Sequence, residues 1–136
     1  MQDIYGNRDE NIIRAASGLH GGIGGMNDVC GSLLGASMMV GLTCCKTGEA
    51  DNPEKKELAT QTVGRLYKWF EKEFGTVKCR DITARFRKEI NEDINTRDLA
   101  EPEKVAEVFK KCDDLAGRTS AGTVEMLWDI LEAEKE

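Results

Sequence analysis

The chain has 136 residues, 40% of them apolar and 32% charged, with a formal net charge of −6. That is the balance of an ordinary soluble protein, and the length is that of one domain spanning residues 1–136. The acidic excess leaves no basic footprint of the kind a nucleic-acid-binding surface needs. The opening Met1-Gln2-Asp3-Ile4-Tyr5 lacks a basic region followed by an apolar run, so it does not read as a signal peptide.

The elements, taken in chain order, are all helical. Asp9 or Asn7 caps a first helix through Ile12, Ile13, Ala15 and Ala16, which stops at Gly18. The run His20-Gly21-Gly22-Ile23-Gly24-Gly25 follows, with four glycines in five positions. It demands either a sharp interhelical turn or backbone that something approaches closely. The glycine spacing is not that of a dinucleotide loop, and no strand precedes it. Asn27 or Asp28 caps a second helix from Val29 to about Cys44. The 17 uncharged residues from Val29 to Cys45 are short for a membrane span. With Gly31 and Gly35 one turn apart, they read as the central helix, against which another can pack closely.

Pro53 suits the first position of a third helix. Its stripe of Ala59, Val63, Leu66, Tyr67, Phe70 and Phe74 keeps helical period until Gly75. Cys79 falls in the link from Thr76 to Arg80, and Asp81 caps a fourth helix carrying Ile82, Phe86 and Ile90. A fifth helix starts after Pro102, with Val105, Val108, Phe109, Cys112 and Leu115 on one face. A sixth carries Val124, Leu127, Trp128 and Leu131. No segment alternates at period two for long enough to make a strand. The expected fold is all-α, a single compact domain of five to six helices around a central glycine-containing helix.

The chemistry rests on the cysteines. There are five, an odd number, which argues for free thiols, metal or redox chemistry in a reducing compartment such as the cytoplasm. Cys30, in the first turn of the second helix, should gain thiolate character from the helix terminus. Cys79, beside Arg80 and a further helix start, should gain it too. Cys112 lies inside a helix on its apolar face. Each taken alone would also serve as a small buried hydrophobe. Cys44 and Cys45 read as helix-end residues, one buried and one exposed. The separations of 49 and 33 residues between Cys30, Cys79 and Cys112 match no zinc-finger, ferredoxin or haem-attachment pattern. His20, the single histidine, borders the glycine loop and could act as a further ligand. One histidine gives no Ser-His-Asp arrangement, so a conventional enzyme is not expected.

Three segments together carry a resemblance: Ala15-Ala16-Ser17-Gly18-Leu19-His20-Gly21-Gly22-Ile23-Gly24-Gly25, then Cys30-Gly31-Ser32-Leu33-Leu34-Gly35-Ala36, then Phe74-Gly75-Thr76-Val77-Lys78-Cys79-Arg80-Asp81, followed by Cys112. Over residues 9–116 the chain resembles the C_GCAxxG_C_C family, with Ser32 where that family has alanine. The resemblance implies an all-helical redox-active protein, an electron-transfer or redox-sensing module. It would hold an iron–sulfur cluster, a 2Fe-2S centre by preference, or another metal through Cys30, Cys79, Cys112 and His20. Gly21, Gly22, Gly24, Gly25 and Gly31 would then be the cofactor-side backbone. The family's first cysteine, on an N-terminal helix, has no counterpart in this sequence. The missing ligand is expected from His20, Cys44, Cys45, a partner chain or nowhere. The alternatives are a metal-free thiol/disulfide module and an interaction subunit without cofactor. A homodimer or a redox partner protein is expected under each.

Overall fold

The computed structural model describes residues 8–90 and 101–133. They form five α-helices and no strand: α1 Glu10–Ala16, followed by a 3-10 turn at Ser17–Leu19, α2 Gly31–Cys44, α3 Pro53–Phe74, α4 Cys79–Glu89 and α5 Pro102–Ala133. No helix among the described residues is long and apolar enough to cross a membrane.

Local chemistry sets most of these boundaries. Asp9 caps α1 by accepting from the Asn11 N–H at 2.8 Å; the alternative cap, Asn7, lies outside the described residues. Asn52 accepts from the Glu54 and Lys55 amides at 3.0 and 3.3 Å, with Pro53 opening α3 behind it. Gly75 closes α3 in the left-handed conformation, φ 78°, a geometry that side-chain-bearing residues adopt at a cost. The Arg85 guanidinium donates to the Phe74 carbonyl at the same helix end.

Two boundaries differ from the sequence expectation. Helix α2 begins at Gly31, two residues later than expected, and its cap is Cys30 rather than Asn27 or Asp28. Val29 is withheld from the helix because it pairs with Lys78 in an antiparallel bridge. Helix α4 begins at Cys79 itself, with Lys78 as cap, so Asp81 lies in the first turn and accepts from the Thr76 hydroxyl at 3.3 Å.

The expected fifth and sixth helices are one continuous helix of 32 residues. Gly117 and Gly122 do not break it, because helix geometry tolerates an interior glycine at about 1 kcal/mol relative to alanine. Buried Thr119 and Thr123 satisfy their hydroxyls internally, donating to the Leu115 and Thr119 carbonyls at 2.8 and 2.7 Å.

Helix α2 packs chiefly against α3 and α5. The core joins Leu33, Ala36, Val40 and Cys44 of α2 to Leu66, Phe70 and Phe74 of α3, with Val77, Ile82, Leu115 and Leu127. Phe70 and Phe74 stack at a tilt, 4.6 Å between centroids, and Trp69 meets Phe74 edge-on at 6.0 Å. On α5 the inward stripe is Val108, Cys112, Leu115, Thr119, Thr123 and Leu127. Phe109 and Trp128 lie outside it, 54% and 53% exposed, and Tyr67 is likewise exposed, so these three aromatics do not belong to the core expected of them. A Lys111–Glu89 ion pair at 2.6 Å ties α5 to α4, with the Lys111 ammonium 5.7 Å from the Phe86 ring centroid.

Candidate thiol site

The glycine loop makes an unusual turn. Gly21, Gly22, Ile23, Gly24 and Gly25 are successive residues with φ between 57° and 77°, and Asn27 follows at 56°. Such backbone disfavours L side chains, which is why glycine dominates it. The turn is closed by its own amides. Gly24 donates to the Gly18 carbonyl at 2.9 Å, Asn27 to Gly21 at 2.9 Å and Asp28 to Gly22 at 3.0 Å.

The loop then clasps the start of α4. Cys30 N–H donates to the Val77 carbonyl at 2.8 Å and Cys79 N–H to the Asp28 carbonyl at 2.6 Å, flanking the Val29–Lys78 pair. Cys30 and Cys79 are thus the residues that directly follow the paired Val29 and Lys78 on the two segments. On the same pairing the Lys78 ammonium bonds the Asp28 carboxylate, and that bond, with Arg80 nearby, holds Asp28 below the usual carboxylate range.

Cys112 reaches the same region from α5. Burial first, then the charge on Cys79 and on Cys30, and last Asp113, push its thiol up to about 11. Cys79 is raised as well, by burial and then by Cys30. Burial is the larger cause for both, and the lesser contributions of Cys30 and Cys79 put the cap of α2, the first residue of α4 and the inward stripe of α5 near enough for their thiols to affect one another's ionisation. All three are free thiols; Cys30 is buried and the other two half-buried.

The raised Cys79 thiol corrects the expectation that its helix terminus favours the thiolate. The first amides of α4 are already taken: Cys79 and Arg80 donate to the Asp28 and Asn27 carbonyls, the latter at 3.0 Å. Those N–H groups are not free to stabilise a sulfur anion, and desolvation wins. Neither α2 at Cys30 nor α4 at Lys78 has a side chain capping its first amides.

His20 is exposed in the loop, where its carbonyl accepts from the Gly25 amide at 3.0 Å. Cys44 is buried and Cys45 half-buried at the far end of α2. A helix rises about 1.5 Å per residue, so the 14 residues of α2 hold them roughly 20 Å from Cys30, too far to join it in this chain. Of the loop glycines, Gly22 is buried and touches the site, while Gly24 and Gly25 face open space. Gly31 lets α2 approach the loop: a Cβ there would meet the Leu19 carbonyl oxygen at 3.0 Å. The loop carbonyls of Asn27 and Asp28 and the Lys78–Asp28 pair were not anticipated from sequence. Periodicity carries no sign of a bridge two residues long, although the opposite charges of Asp28 and Lys78 beside two cysteines are a signal in hindsight.

The family model that matches the chain spans residues 1–126 and bears the description "Putative redox-active protein (C_GCAxxG_C_C)". The chain belongs to this family. No curated protein and no solved structure matches it. Three thiols are the donor type that soft metals and iron–sulfur clusters take. Among the described residues, however, no three of His, Cys, Asp or Glu stand as a ready metal-ligand group. The trio therefore fits such a group in donor chemistry and falls short of it in number and closure.

Proposed function

We propose that this member of a redox-active family is a redox carrier or sensor rather than a conventional enzyme, with Cys30, Cys79 and Cys112 as its working centre. The reading we favour makes these thiols the in-chain ligands of an iron–sulfur cluster, a 2Fe-2S centre by preference, or of another soft metal. What supports it is the nearness of three thiols: beyond burial, which is the larger cause for each, Cys30 raises Cys79, and Cys79 and Cys30 raise Cys112. Three sulfurs held where their charges repel form a site that a cation relieves, since ligation replaces each thiol proton with a metal bond. A cluster held there would supply one-electron transfer. A further donor has to come from His20 or from a second chain, which makes a homodimer or a redox partner protein part of the proposal. Free thiols of this kind persist in a reducing compartment, for which the cytoplasm is the natural candidate.

Anaerobic reconstitution with ferrous iron and sulfide tests this reading. Bound iron and sulfide with visible absorption should appear in the native protein and be lost when Cys30, Cys79 or Cys112 is replaced by serine. Colourless, iron-free native protein after reconstitution would count decisively against it.

The position of Cys30 and Cys79 beside the Val29–Lys78 bridge, with Cys30 raising the Cys79 thiol, favours a second reading, a metal-free dithiol. The two thiols would close to a disulfide, releasing two protons and passing two electrons to a disulfide of a partner, which leaves as two thiols. Peptide mapping after mild oxidation would then show a Cys30–Cys79 linkage in high yield.

A further inference from the structure

We infer that Gly22 is a positioning residue for the thiol centre, its missing side chain being the space in which Cys79 sits. The inference rests on the proposed role of Cys79 and deepens it. Gly22 is buried at φ 70°, and a Cβ built on it would lie 2.7 Å from the Cys79 Cβ, 2.7 Å from the Asp28 nitrogen and 2.9 Å from the Asn27 carbonyl carbon. Non-bonded carbons settle at about 3.5–4.0 Å, so something has to move.

What moves is constrained by hydrogen bonds. The Gly22 carbonyl accepts from the Asp28 amide at 3.0 Å, and the Asp28 carbonyl accepts from the Cys79 amide at 2.6 Å. Pushing the loop backbone at Asn27 and Asp28 drags Cys79, and pushing the Cys79 side chain displaces it directly. Cys30, held separately by the Val77 carbonyl, and Cys112 on α5 need not follow. A side chain at Gly22 therefore moves one sulfur relative to the other two, which is how a change outside the thiols would disable their joint chemistry.

The competing explanation is that every glycine of the loop serves the turn alone. The loop contains its own controls. Gly24 at φ 57° and Gly25 at φ 77° share the strained backbone, yet a Cβ on either meets nothing within 4 Å. Gly22→Ala pays strain and collision, whereas Gly24→Ala and Gly25→Ala pay strain alone.

The test compares these three variants with the native full-length protein, fully reduced. It measures the denaturation midpoint, the iodoacetamide alkylation rate of each cysteine by peptide mass mapping, and iron uptake on reconstitution. Gly22→Ala should change the Cys79 rate at least fivefold and cut iron uptake at least tenfold, with Cys45 unchanged. Gly24→Ala and Gly25→Ala should leave the Cys79 rate within twofold of native. Equal Cys79 rates in Gly22→Ala and Gly24→Ala would overturn the inference. If Gly22→Ala fails to fold, adding Cys79→Gly removes the side-chain collision, though not those with the Asn27 and Asp28 backbone, and should recover part of the lost helical circular dichroism; no recovery also overturns the inference. The alkylation arm is independent of metal. A shifted Cys79 rate in a protein that never takes up iron would leave the positioning role standing and remove the cluster reading.

Discussion

The indole of Trp69 stands where a side chain on Gly122 would have to go: a Cβ built on Gly122 would come within 2.4 Å of the ring. This contact joins α3 to α5 and explains a glycine inside a long helix. It also separates two effects that usually oppose each other. By propensity alone, glycine to alanine in a helix interior gains about 1 kcal/mol. At Gly117, where a Cβ meets nothing within 4 Å, Gly117→Ala should show that gain. At Gly122 the ring has to yield, and overpacking typically costs 1–3 kcal/mol. Urea unfolding should therefore place Gly122→Ala below the native protein and Gly117→Ala above it. Trp69→Leu should erase most of the Gly122→Ala penalty. Two alanine variants shifted in the same direction would show that the Trp69 contact does not decide packing here.

Cys112 gives the fold a pH dependence of defined sign. Its thiol is raised from an ordinary value of 9.0 to about 11, mainly by burial. The folded state thus holds its proton more tightly than the unfolded chain does. The resulting stabilisation is complete below about pH 9, the unfolded value, and is lost as pH rises through about 11. Unfolding midpoints measured from pH 8 to 11 should fall more steeply in the native protein than in Cys112→Ala. Parallel curves would mean that the thiol titrates as it does in the unfolded chain.

The same protonation would make the affinity of any metal held by these thiols steeply pH-dependent. Each ligating thiol gives up its proton, so below the thiol values affinity rises about tenfold per pH unit for each proton released. Anaerobic cobalt(II) titration between pH 6 and 8, followed by sulfur-to-metal charge-transfer absorption, should show an increase well above tenfold per unit. The absorption should vanish in Cys30→Ser, Cys79→Ser and Cys112→Ser and survive in Cys44→Ala, whose sulfur lies at the opposite end of α2. An unchanged spectrum in all three serine variants would place the cobalt elsewhere.

Helix identity was legible wherever one local signal sufficed: Asp9 as a cap, Pro53 at the first position of α3, Gly75 at its C-terminus. The expectation that Cys30, Cys79 and Cys112 act together came from the family pattern, not from spacing, because separations of 49 and 33 residues encode no contact by themselves. What stayed hidden depends on tertiary partners. The Val29–Lys78 bridge shortens α2 and hands the first α4 amides to Asn27 and Asp28, and burial, then Cys30, raises the Cys79 thiol against the expectation. The unity of α5 was masked because Gly117 and Gly122 look like breakers in one dimension. In three dimensions one is tolerated and the other is a socket for Trp69.

Ile23 is the misfit of the glycine loop. It sits at φ 65° between glycines at 70° and 57°, and its side chain is 44% exposed. A β-branched residue in that region is an outlier, and the left-handed conformation costs an L-residue roughly 1–2 kcal/mol. Glycine removes this strain and adds about 0.5–1 kcal/mol of unfolded-state entropy to be overcome. The half-exposed side chain contributes little burial to set against the change. Ile23→Gly should therefore leave the loop intact and raise stability by up to about 1 kcal/mol, read from the urea midpoint at unchanged slope. Because Ile23 lies beside Gly22, the Cys79 alkylation rate should stay within twofold of native in the same variant. A marked loss of stability would mean that the Ile23 side chain makes a contact the loop depends on. Its strain would then be held in place for packing rather than tolerated at the edge of the thiol site.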